Sequence, residues 1–146
     1  MSATFLVDLK NALEGGVSIV PQNYNTAGTK NGTAIDMQDS DGPIHALVMT
    51  GDCGDANTNF YVKLQESDAS GGTFTDVADS TSATYTGATA MDNLMFAVST
   101  NKRTLRWVRA VVVIATTGTA DVDIAVAVQG RKKIIGSGGG SYTTVT

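Results

Sequence analysis

From Thr33 to Gln129 the chain repeatedly alternates hydrophobic and polar side chains with a period of two. Ile35 and Met37 share one side of TAIDMQ, and Phe60, Val62 and Leu64 alternate with Tyr61, Lys63 and Gln65. In DVDIAVAVQ, Val122, Ile124, Val126 and Val128 oppose Asp121, Asp123 and Gln129. Alternation of this kind predicts half-buried strands. It places strands over residues 33–38, 44–50, 60–65, 73–78, 82–86, 91–99, 105–115 and 121–129. Breaks at SDGP (40–43), GDCGDANTN (51–59), SDASGG (67–72) and TTGT (116–119) separate several of them. LRWVRAVVVIA (105–115) is apolar on both sides and predicts a central strand, with Trp107 in the core. FYVKLQESDASGGTFTDV (60–77) predicts a hairpin with Phe60, Val62, Leu64 and Phe74 packed beneath it. About eight short strands with no helix between them define an all-β chain. The expected architecture is an antiparallel β-sandwich, jelly-roll-like in strand number.

The ends read differently. TFLVDLKNALE (4–14) sets Phe5, Leu6, Leu9 and Leu13 at helical spacing, with Ser2 or Thr4 as a cap and Gly15-Gly16 as a stop. Residues 21–32, PQNYNTAGTKNG, have no period and read as loop. At the other end, IIGSGGGSYTTVT carries Gly138-Gly139-Gly140, the composition of a flexible tail. The expected organisation is an N-terminal helix or arm (1–32), a β-sandwich domain (33–133) and a Gly-rich C-terminal arm (134–146).

Composition narrows the function. Charged residues form 16% of the chain, against a usual figure of about 25%. Cys53 is the single cysteine, which excludes an internal disulfide and a cysteine metal cluster. The start MSATFLVDLK lacks the pattern of a secretory signal, and no apolar run reaches the roughly 20 residues of a membrane span. These features lead to the expectation of a soluble protein made in the cytoplasm, with no membrane partner. The net charge of −4 conceals a split. Residues 1–100 hold twelve acids and three bases, giving −9, and residues 101–146 hold seven bases and two acids, giving +5. Such a chain is suited to meeting different neighbours on different surfaces, and its acidic total argues against nucleic acid as a partner.

Each candidate for chemistry has a simpler structural account. His45, the only histidine, lies inside a strand pattern with no nucleophile elbow in the chain, and one histidine cannot build a multi-histidine zinc site. Asp36, Asp39 and Asp41 in DMQDSDG, and Asp52 and Asp55 in GDCGD, depart from the calcium-loop pattern and suit turns. Glu66 and Asp68 form a carboxylate pair without neighbouring aromatics to hold a sugar. Cys53 has no basic neighbour in sequence, and Gly71-Gly72 has no following lysine and helix. The expectation is a protein without catalytic residues, metal or cofactor. The residues expected to meet partners are Phe5, Leu6, Leu9, Leu13, Ile134 and Ile135 as apolar anchors. Arg103, Arg106, Arg131, Lys132 and Lys133 are the corresponding charged contacts, and Lys102 and Arg109 extend the basic group.

VKLQESDASGGTFTDV (62–77), RTLRWVRAVVV (103–113) and TGTADVDIAVAVQG (117–130) together resemble a strand-and-turn pattern of small structural proteins of tailed-phage particles. The likeness spans roughly residues 33–133 and is similar to head decoration, or cement, and minor capsid proteins. It implies a β-sandwich seated on the major capsid protein at the virion surface, often as a homotrimer, and it transfers no residue-level binding motif. Another particle component, such as a tail, head-fibre or host-attachment module, shares the same implied fold.

Overall fold

The computed structural model describes residues 13–133. It contains ten strands: β1 Leu13–Tyr24, β2 Gly28–Asn31, β3 Ile35–Asp36, β4 Ser40–Thr50, β5 Thr58–Ser67, β6 Thr75–Thr81, β7 Tyr85–Thr86, β8 Met95–Thr100, β9 Trp107–Thr116 and β10 Val122–Lys132. One short helix, α1 (Ala88–Met91), precedes β8. The strands form two sheets, one ordered β1-β10-β4-β8 and the other β2-β9-β5-β6, with β3 continuing the β2 edge and β7 the β6 edge. All ladders are antiparallel.

Counting β2/β3 and β6/β7 as interrupted single strands leaves eight. The first pairs with the last (β1·β10), the second with the seventh (β2/β3·β9), the third with the sixth (β4·β8) and the fourth with the fifth (β5·β6/β7). This is one long hairpin rolled up on itself, closed by the β10·β4 and β9·β5 ladders. That order defines a jelly roll, in agreement with the predicted all-β sandwich.

The core lies between the sheets and follows the period of two. Ile44, Ala46 and Val48 of β4 and Val122, Ile124, Val126 and Val128 of β10 face Phe60, Val62 and Leu64 of β5 and Val108, Ala110, Val112 and Ile114 of β9. Tyr85 stacks on Phe60 at 5.5 Å and meets Phe96 at 4.8 Å, closing one side.

Several local expectations are corrected. Residues 13–14, expected in a helix, and most of residues 21–32, expected as loop, are strand: β1 pairs with β10 from Leu13↔Arg131 to Tyr24↔Val122. Gly15 is needed there because a Cβ would run into the Val128 carbonyl and the Gln129 backbone. Two irregularities around Ile19 break the alternation of β1, so its sequence shows no clean period. The bulge turns Ser18 inward, where its hydroxyl accepts from Ala110 N at 2.9 Å and donates to Thr33 O at 2.8 Å, tying the two sheets. The break expected at SDGP is absorbed into β4: Gly42 takes a φ of 74°, the β10 register shifts at Gly130/Arg131, and Pro43 lies past the last β8 partner of β4, where proline is tolerated. Trp107 and Phe74 are half-buried on the outer side of their sheet, beneath the guanidinium groups of Arg106 and Arg109 at 5.2 and 4.2 Å, and neither joins the core.

Candidate binding face

The two sheets present outer faces of opposite character. On the β2-β9-β5-β6 sheet, Lys63 Nζ donates to Asp76 Oδ2 at 2.7 Å, Gln65 Nε2 donates to Asp76 Oδ1 at 2.7 Å, and Arg109 donates twice to Gln65 Oε1 at 2.8 and 3.1 Å. These groups satisfy one another and hold Val111 buried beneath them. The Lys63 ammonium, with help from Gln65, keeps the Asp76 carboxyl below its ordinary range.

The β1-β10-β4-β8 sheet carries the large hydrophobic side chains that the fold leaves exposed: Leu13, Val17, Val20, Met49 and Met95, the last 73% accessible. The register sorts its outward positions into rows. One row reads Val17, Ala127, Leu47, Ala97 across all four strands. The next reads Val20 and Pro21 in the β1 irregularity, then Ala125, Met49, Met95. A polar row, Gly15, Gln129, His45, Ser99, borders them on one side, followed by Leu13, Arg131, Asp41. On the other side Asn23 Nδ2 donates to Asp121 Oδ1 at 2.6 Å and to Asp123 Oδ1 at 2.9 Å. An apolar centre two rows deep inside a polar rim is the anatomy of a protein-binding surface. Shallow depressions flank the β1–β10 ladder on this sheet, one lined by Leu13, Val17 and Ala127, the other by Pro21, Met49 and Ala125.

Of the residues expected to meet partners, Phe5, Leu6, Leu9, Ile134 and Ile135 lie outside the described residues. Leu13 opens β1 on the edge of the apolar face, opposite Arg131. The basic residues converge at the end of the sandwich where β1 begins and β10 ends, but each is engaged. Arg106 clamps Asp36 through two bonds of 2.6 and 2.9 Å, holding that carboxyl below its usual value. Arg131 meets Asp41 at 3.2 Å and Lys132 meets Glu14 at 3.9 Å. Arg103 donates to the Leu105 and Ser40 carbonyls at 2.9 and 3.0 Å, and Lys133 Nζ donates to Gln38 O at 3.1 Å. Val17, Val20, Leu47, Met49, Met95, Ala97, Ala125 and Ala127 were not among the expected contact residues. Their signal is the alanines at outward positions of β10 and β8, where an exposed strand face normally carries polar side chains.

The side chains weighed for chemistry hold the fold. Glu66 is buried and accepts from Thr104 N, Thr104 Oγ1 and Leu105 N at 2.7, 2.8 and 2.9 Å. His45 Nδ1 lies 2.6 Å from Ser99 Oγ on the open outer face, and among the described residues no carboxylate bonds the ring. Cys53 is buried, and loss of water pushes its thiol pKa up, away from the reactive thiolate. Among the described residues no group of three or more His, Cys, Asp or Glu side chains is placed to hold a metal ion. None of the described helices is long and apolar enough to cross a membrane.

The described residues thus form a jelly roll with one internally hydrogen-bonded sheet face and one apolar, polar-rimmed face. No family model matches the sequence, and neither does any curated protein. Among solved structures, a chain in "Structure of infectious bursal disease virus Gx strain" is similar over 84% of this chain, at 9% sequence identity and a TM-score of 0.48. This chain spans 33% of the length of that neighbour.

Proposed function

We propose that this protein is a structural component of a viral particle, a capsid decoration or cement protein of a tailed phage, and that it works by binding without catalysis. The observation that carries the reading is the contrast between the sheet faces. One is tied up in its own hydrogen bonds, and the other carries an apolar band that is exposed among the described residues. The likeness of residues 62–77, 103–113 and 117–130 to phage head proteins names the setting. The architecture is compatible, since jelly rolls recur in viral capsid domains, but they also form lectin domains and cupins, so fold alone does not choose. In this reading the partners are the major capsid protein and neighbouring copies of the chain, for which the resemblance implies a homotrimer. The protein is made in the host cytoplasm and ends on the capsid surface. Phe5, Leu6, Leu9, Ile134 and Ile135, outside the described residues, then serve as ties to neighbours, together with Arg103, Arg106, Arg131, Lys132 and Lys133.

Co-sedimentation of the purified protein with empty shells, together with its copy number in intact particles, tests this. Saturable binding and hundreds of copies per particle are expected. A handful of copies at one vertex would assign it instead to a tail, head-fibre or host-attachment module. Absence from particles would overturn the reading.

A further inference from the structure

The apolar face has a self-complementary pattern, and we infer that its occupant is the same face of a second copy, related by a two-fold axis parallel to the strands and passing between β10 and β4. The inference rests on the reading of the protein as a binding component and specifies one contact that it makes.

The argument is one of register. Such an axis exchanges β10 with β4 and β1 with β8 while keeping each row at its own level. In the first apolar row, Val17-Ala127-Leu47-Ala97, Leu47 of one copy then faces Ala127 of the other, and Val17 faces Ala97. In the second row Met49 faces Ala125, and Met95 faces Val20 in the β1 irregularity. At the centre of the contact large side chains meet small ones, which is how facing sheets interdigitate. The rim follows the same rule. His45 faces Gln129, a pair able to share a hydrogen bond, and Arg131 faces Asp41, so the ion pair present within each chain becomes a four-charge cluster between two. Asp123 faces Gly51 rather than its own copy, because Gly51 sits against Asp123 within the chain. A two-fold axis across the strands would instead stack Leu47 on Met49 and Ala127 on Ala125, crowding one side and leaving the other empty.

Symmetry sharpens the choice. The exposed large hydrophobics of the described residues lie together on this one sheet. A closed ring of three, the assembly that the resemblance implies, needs two different patches that fit each other, whereas one patch that fits itself makes a pair, so the pair inferred here replaces the trimer of that reading. The size is modest. Four strands about 4.8 Å apart and a β10·β4 ladder of about seven residues at about 3.4 Å give about 450 Å² per copy, or about 900 Å² for the pair. That lies below the range of stable interfaces and in that of weak, transient ones, so association of about micromolar strength or weaker is expected.

Sedimentation velocity of the full chain over a concentration series, with mass from light scattering, tests the assignment. The wild type is expected to move from one to two copies with rising concentration. Ala127→Leu fills the hole that receives Leu47 and should weaken pairing at least tenfold. Leu47 and Ala127 are neighbours within each sheet, so L47A/A127L exchanges knob and hole without changing the local composition and should restore pairing. A wild type that stays single or forms three copies, an A127L protein that pairs normally, or a swap that fails to recover would each overturn the inference. Shell co-sedimentation of A127L separates this from the functional reading. Pairing lost with shell binding kept assigns the face to a second copy. Loss of both from a folded A127L protein that has wild-type secondary structure still supports the pairing and makes shell binding depend on it. Pairing intact in a wild type that never binds shells leaves the inference standing and removes the virion reading.

Discussion

Replacing Glu66 by alanine tests whether this carboxylate is a structural anchor. It sits near the end of β5, accessible to only 7%, and gathers three donors from the segment between β8 and β9. Truncation leaves the Thr104 and Leu105 amides and the Thr104 hydroxyl without an acceptor. A donor stranded away from water costs about 1–3 kcal/mol, and charge-assisted bonds stand at the upper end. These donors are only partly buried, and the hydroxyl can turn to solvent, so the sum is set at about 2–4 kcal/mol. A chain of this size loses about 2–4 °C per kcal/mol, which gives a melting point lower by about 5–15 °C. Glu66→Gln keeps the volume and one acceptor oxygen but turns an amide toward a donor, and about half the loss is expected. Thr104→Val removes one bond of the three and should cost about 1 kcal/mol. Urea unfolding, followed by Trp107 fluorescence and by circular dichroism, gives each midpoint, and the slopes should match wild type if only stability has changed. The ranking E66A, then E66Q, then T104V is the signature. An E66A protein with a wild-type midpoint would refute the anchoring argument and reopen a chemical role for this side chain.

Other expectations follow from the same contacts. Ser18→Ala removes the hydroxyl that bridges Ala110 and Thr33 and should cost about 1–3 kcal/mol, read from the urea midpoint, despite lying in a stretch with no strand period. Asp36 and Asp76 have folded pKa values lowered chiefly by hydrogen bonds from Arg106 and Lys63. Their contribution is therefore present above the ordinary carboxylate value of 3.8 and is lost as pH falls through their lower folded values. The double variant D36N/D76N should show a flatter loss of stability below about pH 4. The Cys53 thiol is buried with a raised pKa, so a water-soluble thiol reagent should label it no faster than the chain unfolds. Rapid labelling of the native protein would contradict that placement. His45→Ala loses only the Ser99 contact and should leave the fold and melting point nearly unchanged.

Strands β5 and β10 were legible because each faces the core on one side, so burial writes a period of two into the sequence, and β9 was legible as an apolar run because Val111 is buried on its outer side as well. β1 was not legible. It is an edge strand that bulges around Ile19, its Gly15-Gly16 pair imitates a helix stop, and the helical spacing of Phe5, Leu6, Leu9 and Leu13 runs into its first residue. The β4 break was misplaced because Gly42 and Pro43 are turn residues that a bulge can also accommodate. Trp107 and Phe74 were assigned to the core by hydrophobicity alone. Arg109 reaches Phe74 from a distant strand and Arg106 stacks on its chain neighbour Trp107, and these contacts give both rings a place on the surface. The basic residues at one end were visible as a cluster, but their partners Asp36, Asp41 and Glu14 are brought in from distant segments by the roll.

The apolar face shows how information can sit inside a pattern without being read from it. In DVDIAVAVQ the polar residues Asp121, Asp123 and Gln129 mark the outward side, and the strand is recognised by them. The positions that the proposed pairing uses lie between them, at Ala125 and Ala127, where outward positions are apolar and small. The equivalent outward positions of β5 are Tyr61, Lys63 and Gln65, of which Lys63 and Gln65 join a hydrogen-bonded polar network. Only the register joins Ala125 to Met49 and Ala127 to Leu47, turning scattered small and large side chains into a continuous surface. An alanine on an exposed strand carries little meaning alone, because its burial is worth little. Opposite a methionine or leucine of a second copy, it supplies the space that the larger side chain fills. Introducing lysine at Ala127 should therefore leave the fold intact, because the position points outward from the sheet and is only half-buried in the single chain, while abolishing association through this face. A protein that unfolds on that change would mean that Ala127 belongs to the core of the single chain, and the distinction between the two faces would fail.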